Sequence, residues 1–260
     1  MDYLKVAKAQ FLKDYSLKEF PTEEIYIQKS IPFTDESMGY LSGTPFLNFV
    51  YFGTQLFISA DSRIYDFASA YAKRCRHDLF RVFDAPNIFH LNNELEKYGF
   101  TVAHLAQYFL LDANKNVKAD NSYPLEILCK EQIEALYGLG FDMALCGTIK
   151  GRRHDVMAVV CRIDNQIVGV AGCSSDGKDM WQIGVDVLPQ FQKKGIGTAL
   201  VVRLSEEILK LGKCPFYCCA WSNLASKRLA RRAGFIDGWV ELSAKSIEED
   251  WIKKIRMLEG

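Results

Sequence analysis

The spacing of apolar positions along the chain changes several times, and each change predicts an element. Residues 1–20 mix charged and apolar groups at helical spacing, which predicts an N-terminal helix. Leu56–Ala60 reads as a strand. Asp61 and Ser62 are good N-caps for a helix running to about Arg76, with Ile64, Phe67, Ala68 and Tyr71 on one face. Leu79–Phe83 reads as a second strand. A further helix runs from about Asn87 to Tyr98, closed by Gly99, and Thr101–Leu111 is a long, mostly apolar strand.

Residues 112–123 are polar and turn-rich, and mark a boundary between an N-terminal domain at 1–115 and a second domain at 120–260. Beyond it, Glu131–Tyr137 has a helical pattern. Val156–Arg162 and Gln166–Ala171 flank Ile163-Asp164-Asn165, a hairpin signal. Trp181–Val187 is a strand ended by Pro189. Ile196, Leu200, Leu204 and Ile208 recur every four residues and give the helix Gly195–Leu211 a buried stripe. Phe216–Ala220 predicts a strand, Asn223–Ala233 a helix closed by Gly234, and Val240–Ser243 a last strand. The order strand, helix, strand, helix, strand thus occurs twice. Gly99-Phe100 and Gly234-Phe235 are 235 − 100 = 135 residues apart. This fits a degenerate internal duplication, and equally a Gly-Phe pair that closes two unrelated helices.

Composition narrows the class. Of 260 residues, 49% are hydrophobic and 25% charged, an ordinary globular balance with enough chain for a sizeable core. Lys plus Arg and Asp plus Glu are 32 each, so the overall basic excess usual in nucleic-acid or membrane-surface binders is missing. No apolar run approaches the roughly 18 residues that span a bilayer, and the first residues lack a signal-peptide core. A cytoplasmic protein is expected, as a monomer or homodimer. The eight cysteines form no C-x-x-C pair and most lie in apolar runs, so buried free thiols are expected rather than a metal site.

The stretch with chemistry is Asp186-Val187-Leu188-Pro189-Gln190-Phe191-Gln192-Lys193-Lys194-Gly195-Ile196-Gly197-Thr198, between a strand and a helix. Two glycines allow a sharp turn and close approach to a ligand. The unpaired N–H groups of the first helical turn and the helix dipole form an anion cradle, with Lys193 and Lys194 adding charge. A Rossmann fingerprint fails at Leu200, where a third glycine belongs. A Walker loop fails because Thr198 directly follows Gly197.

Gln192-x-x-Gly195-x-Gly197 resembles the acetyl-CoA loop of the GNAT superfamily of N-acetyltransferases. Asn223-Leu224-Ala225-Ser226 through Ala233-Gly234-Phe235 resembles a second motif of that superfamily, and the 156–171 hairpin its central strands, so the likeness covers roughly residues 125–243. It implies an α/β (α+β) fold whose mixed, splayed sheet is flanked by helices, here preceded by a smaller α/β N-terminal domain without a coenzyme A site. It also implies acetyl-CoA as cosubstrate. Main-chain groups near Val185 and Val187 would meet the pantetheine arm. Gln192, Lys193, Lys194, Gly195, Ile196, Gly197 and Thr198 would hold the diphosphate, and Asn223 and Ser226 would line the other side of the cofactor. Asn223 is also a natural helix cap.

The family reaction is direct attack of an amine on the thioester, needing a base, an oxyanion donor and a fate for the thiolate. Many members carry a tyrosine acid four residues before the second motif's glycine, where this chain has Ala230. Tyr217, Cys218, Cys219 and Ser222 are the substitutes at the end of the preceding strand; the block of ordinary strand packing is the plain alternative for each. Asp186 is the first candidate base, with a structural carboxylate as the alternative reading, and Glu241 is the second; His154 reads as a solvated loop residue. Phe46, Phe49, Tyr51 and Phe52 read as core. The expected partners are acetyl-CoA and a small amine, with no nucleic acid, membrane or metal. A coenzyme-A-binding pseudoenzyme or regulatory module, and a protein N-acetyltransferase, are the competing readings.

Overall fold

The computed structural model describes residues 1–115, 117–118, 122–249 and 251–253. In chain order its elements are α1 (Tyr3–Asp14), β1 (Ile25–Lys29), β2 (Leu47–Tyr51), β3 (Leu56–Ala60), α2 (Tyr65–Arg74), a 3-10 turn at Leu79–Phe83, α3 (Ala85–Glu96) and β4 (Phe100–Leu111). They continue with β5 (Leu125–Cys129), α4 (Lys130–Ile133) running into a 3-10 turn at Glu134–Leu136, β6 (Asp155–Ile163), β7 (Gln166–Ser174) and β8 (Met180–Val187). After a 3-10 turn at Pro189–Phe191 come α5 (Ile196–Lys210), β9 (Cys214–Ala220), α6 (Leu224–Arg232) and β10 (Phe235–Ser246). No helix among the described residues is long and apolar enough to cross a membrane.

Two compact units interleave along the chain: one of residues 1–16, 34–41 and 108–238, the other of 17–33, 42–107 and 239–260. They differ from the division into 1–115 and 120–260. Polar contacts through residues 38–41 link the N-terminal helix to the later part of the chain. Asp14 accepts the Met38 amide at 2.8 Å. Arg152 donates to the carbonyls of Met38 and Leu41 at 2.8 and 2.9 Å. Part of the 112–123 segment lies outside the described residues.

In the first unit the strand order is β9-β8-β7-β6-β5, with the end of β4 from Tyr108 on beside β9. The expected hairpin joins β6 to β7, and Asp164 and Asn165 both take left-handed φ, 49° and 64°, as its tight turn requires. On one face, the α5 stripe of Ile196, Leu200, Leu204 and Ile208 packs with Val168, Ile183, Tyr217 and Phe235. On the other, Leu128, Ile133, Leu136, Phe141 and Ala144 cover Ala158, Val160 and Val170. Fully burying one such side chain stabilises the fold by roughly 1.5–3 kcal/mol.

In the second unit β3 lies between parallel β1 and antiparallel β2, and β10 pairs with β2 from Val240↔Tyr51 to Ser243↔Asn48. Phe46 and Phe49 are buried, as expected of core. Leu79–Phe83 is a 3-10 turn, not the expected strand. Leu79, Val82 and Phe83 are buried while Phe80 is exposed, a helical i, i+3, i+4 spacing that strand alternation does not give. The Tyr71 hydroxyl donates to the Val82 carbonyl at 2.6 Å and Asn87 Nδ2 to the Arg81 carbonyl at 2.7 Å, using groups a ladder would need. The strand–helix–strand–helix–strand order is therefore not repeated in the first half, although Gly99 and Gly234 both end helices at positive φ, 77° and 90°. The helix expected from Asp61 begins at Tyr65, because Asp61 accepts the Arg63 amide at 3.0 Å and closes a separate turn. Of the eight free cysteines four are buried, but Cys129 is exposed and Cys146, Cys218 and Cys219 are half-buried.

Candidate active site

Strand β8 is the axis of the site. On one side it pairs antiparallel with β7 along its length, from Ser174↔Gln182 to Gly169↔Val187. On the other it pairs parallel with β9 through only four residues, ending at Ile183↔Tyr217. Beyond that rung Gly184, Val185, Asp186 and Val187 continue β8, and Cys218, Cys219 and Ala220 continue β9, without pairing each other. A strand edge released in this way presents main-chain N–H and C=O groups that an extended ligand can satisfy. Val185 and Val187, expected at the pantetheine arm, lie in that released stretch.

The loop after β8 is stitched back to it. Gln192 Nε2 donates to the Val187 carbonyl at 3.0 Å, so this side chain, expected at the diphosphate, ties the turn to the end of β8. Lys193 and Gly195 have left-handed φ of 61° and 93°. That conformation costs a non-glycine residue about 1 kcal/mol, while glycine takes it freely. Gly195 is the N-cap of α5, and Ala199 donates the helix's first i→i−4 bond to the Gly195 carbonyl at 3.1 Å. The amides of Ile196, Gly197 and Thr198 come before that bond, at the positive end of a 15-residue helix. Lys193, Lys194 and Gly195 are exposed, and the Lys194 ammonium lies 5.2 Å from the centre of the Phe191 ring. At Gly197 a Cβ would stand 2.8 Å from Leu229 Cδ1 and 3.5 Å from Val187 Cγ2, so glycine lets the helix start close down between β8 and α6.

Across the gap, Asn223 caps α6 by accepting the Ser226 amide at 3.0 Å, and Ser226 Oγ lies 2.6 Å from the Tyr217 hydroxyl. Tyr217 is buried, and burial is the main cause that pushes its pKa up to about 12; nearby Cys219, Cys218 and Asp186 add to this against the Ser226 hydrogen bond. Ala230, where the related motif has tyrosine, is fully buried in the same core as Tyr217. Of the other substitutes, Cys218 Sγ accepts from Gln182 Nε2 at 3.2 Å and Cys219 is raised by burial.

Asp186 faces the other side of β8. Its Oδ2 accepts the amides of Met143 and Ala144 at 2.7 and 3.1 Å. Burial raises its pKa; the two amides oppose the shift and Asp142 adds to it. Asp155 holds the same segment further along, accepting the Cys146 amide at 3.0 Å, the Gly147 amide at 3.1 Å and the Tyr137 hydroxyl at 3.0 Å. Gly172 admits the crossing: a Cβ there would stand 2.5 Å from the Ala144 carbonyl oxygen. His154 contacts the Gly151 carbonyl and Ser175, a loop role. Glu241 belongs to the other compact unit, where Oε1 accepts from Trp239 Nε1 at 2.7 Å. The first unit thus brings together Val185, Asp186, Val187, Gln192–Thr198, Tyr217, Asn223 and Ser226. Sequence reasoning missed Leu229, the neighbour of Gly197, and Tyr123, whose hydroxyl donates to the Lys194 carbonyl. Tyr123 stands out in the sequence only as an aromatic residue closing a polar segment.

Residues 125–235 match the model of the acetyltransferase (GNAT) family. Comparison with curated proteins yields no match. Among solved structures, a GCN5-related N-acetyltransferase from Sphaerobacter thermophilus is 13% identical, with a TM-score of 0.46 over 74% of this chain and 72% of the other. A GNAT-family protein from Novosphingobium aromaticivorans is 16% identical, with a TM-score of 0.43 over 56% of this chain and 66% of the other, just under two thirds of its length. A Bacillus subtilis acetyltransferase in complex with CoA is 19% identical, with a TM-score of 0.30 over 35% and 76%.

Proposed function

We propose, from the match of residues 125–235 to the acetyltransferase (GNAT) family model, that the protein is a cytoplasmic N-acetyltransferase that moves an acetyl group from acetyl-CoA to a small amine. The observation that carries this reading is the β8–β9 ladder ending at Ile183↔Tyr217, beside a helix start whose first amides precede the helical bonding. The released edge near Val185 and Val187 takes the amide-rich pantetheine arm, and the amides at 195–198 take the diphosphate.

In this reading the amine attacks the thioester carbonyl; the new C–N bond forms as the C–S bond breaks. Asp186 accepts the amine's proton, a role that its burial-raised pKa favours. An amide of the 184–187 edge stabilises the oxyanion. Tyr217 acts as hydrogen-bond donor to the departing sulfur. Full proton transfer from a group near 12 to a thiolate of pKa about 8.5 is uphill by about 5 kcal/mol, so the sulfur leaves as thiolate and is protonated from water.

The test is a screen of small amines for acetyl-CoA-dependent thiol release, with Gly195→Asp as site control. Aspartate must adopt φ near 93° and bring a carboxylate to the anion cradle. Affinity for acetyl-CoA should fall at least about tenfold in the folded variant. Unchanged affinity would remove the diphosphate from this site, and binding without turnover of any amine would favour the regulatory module.

A further inference from the structure

We propose that Tyr123 is a positioning residue that locks the diphosphate loop into its binding shape, an inference that rests on reading residues 192–198 as the cofactor site. The Tyr123 hydroxyl donates to the Lys194 carbonyl, joining residues 71 positions apart. The ring is partly buried against the hydrophobic core that contains the α5 stripe, so the hydroxyl is carried by a packed aromatic ring and not by a flexible stem. It also abuts the turn itself: a Cβ at Gly195 would stand 3.2 Å from the hydroxyl oxygen and 3.9 Å from ring carbons.

The consequence follows from peptide geometry. In a trans peptide the C=O and N–H point in opposite directions. Tyr123 holds the Lys194 carbonyl toward its hydroxyl, and thereby points the Gly195 N–H of the same peptide the opposite way. The donation also draws off the negative end of that dipole, which would otherwise oppose an anion beside the helix start. Lys194 sits between two residues at left-handed φ, Lys193 at 61° and Gly195 at 93°. A backbone so rarely adopted persists only where its surroundings impose it, and Tyr123 is a partner from a remote part of the chain that does so.

The test is Tyr123→Phe in the full chain, which keeps the ring packing and removes the hydroxyl. Binding of acetyl-CoA, 3′-dephospho-acetyl-CoA and acetyl-pantetheine is measured by calorimetry, together with turnover. Losing one positioning hydrogen bond should weaken both diphosphate-bearing ligands about fivefold. Binding of acetyl-pantetheine, which lacks the diphosphate, and kcat at saturating acetyl-CoA should stay as in the parent. Equal affinities of parent and variant for acetyl-CoA would overturn the proposal, as would equal weakening of all three ligands. A parent protein that binds no acetyl-CoA at all would instead overturn the reading of the site on which the proposal rests.

Discussion

Asp186 Oδ2 accepts the Met143 amide at 2.7 Å, a contact between residues 43 positions apart. The same oxygen accepts the Ala144 amide, so one carboxylate ties the 141–147 segment to β8 just past its last rung with β9. Met143 itself is 73% exposed, so the bond holds the backbone while the side chain stays in solvent. Asp186, the proposed base, thus also holds the backbone of the 143–144 segment against β8.

The two roles separate by substitution. Asp186→Asn keeps an acceptor oxygen for the two amides and removes the base. It should unfold within about 1 kcal/mol of the parent while kcat falls about 100-fold or more. Asp186→Ala should lose about 1–3 kcal/mol of stability as well. Because burial raises the Asp186 pKa, the acid limb of kcat should lie above the ordinary carboxylate range and vanish in Asp186→Asn. A full kcat in Asp186→Asn would leave the residue a holding role only. Pre-steady-state rates and denaturant unfolding on the same preparations give both readouts.

Gly197 and Leu229 should be coupled. A methyl at Gly197 meets the flexible end of Leu229, so Gly197→Ala should destabilise by about 1–3 kcal/mol, less the roughly 1 kcal/mol that alanine gains in a helix. In the Leu229→Ala background the clash is gone, and the double-mutant cycle should show a favourable coupling of at least about 0.5 kcal/mol. Additive unfolding energies would mean that the helix start is not closed down on α6.

Asp14 should make stability depend on pH. Burial lifts its pKa from 3.8 to about 6, against the Gln10 and Met38 hydrogen bonds and the charges of Arg152 and Lys13. With the folded pKa above the unfolded one, the native state binds more protons between those values. Stability is greatest below about pH 4 as far as this group is concerned, and falls by about 3 kcal/mol as pH rises through 6. Asp14→Asn still offers an oxygen to Met38, and should remove that part of the slope in thermal unfolding measured from pH 4 to 8. An unchanged slope would show that Asp14 is not the group responsible.

Much of the candidate site was legible because its signals are local. The Gln192-x-x-Gly195-x-Gly197 spacing, the four-residue stripe of α5, and the Asn223 cap each specify a turn or helix from a dozen residues or fewer, and all three occur where expected. Leu79–Phe83 is ambiguous in the sequence because so short a segment, with four apolar residues around Arg81, fits either period, and the burial spacing and the Tyr71 and Asn87 hydrogen bonds settle it. β1 and β5 carry no clear local signal because these short strands depend on partners about 30 residues away in sequence.

The sequence by itself determined the starts of α5 and α6, the hairpin turn and the glycine positions of the loop, because backbone sterics and capping act within a few residues. Tertiary structure alone decided where the β8–β9 ladder stops, that Asp186 is claimed by Met143 and Ala144, and that Tyr123 reaches Lys194. It also put Glu241 in the other compact unit from Asp186 and Tyr217. Those outcomes depend on hydrogen bonds and packing between segments far apart along the chain, whose partners no local pattern encodes.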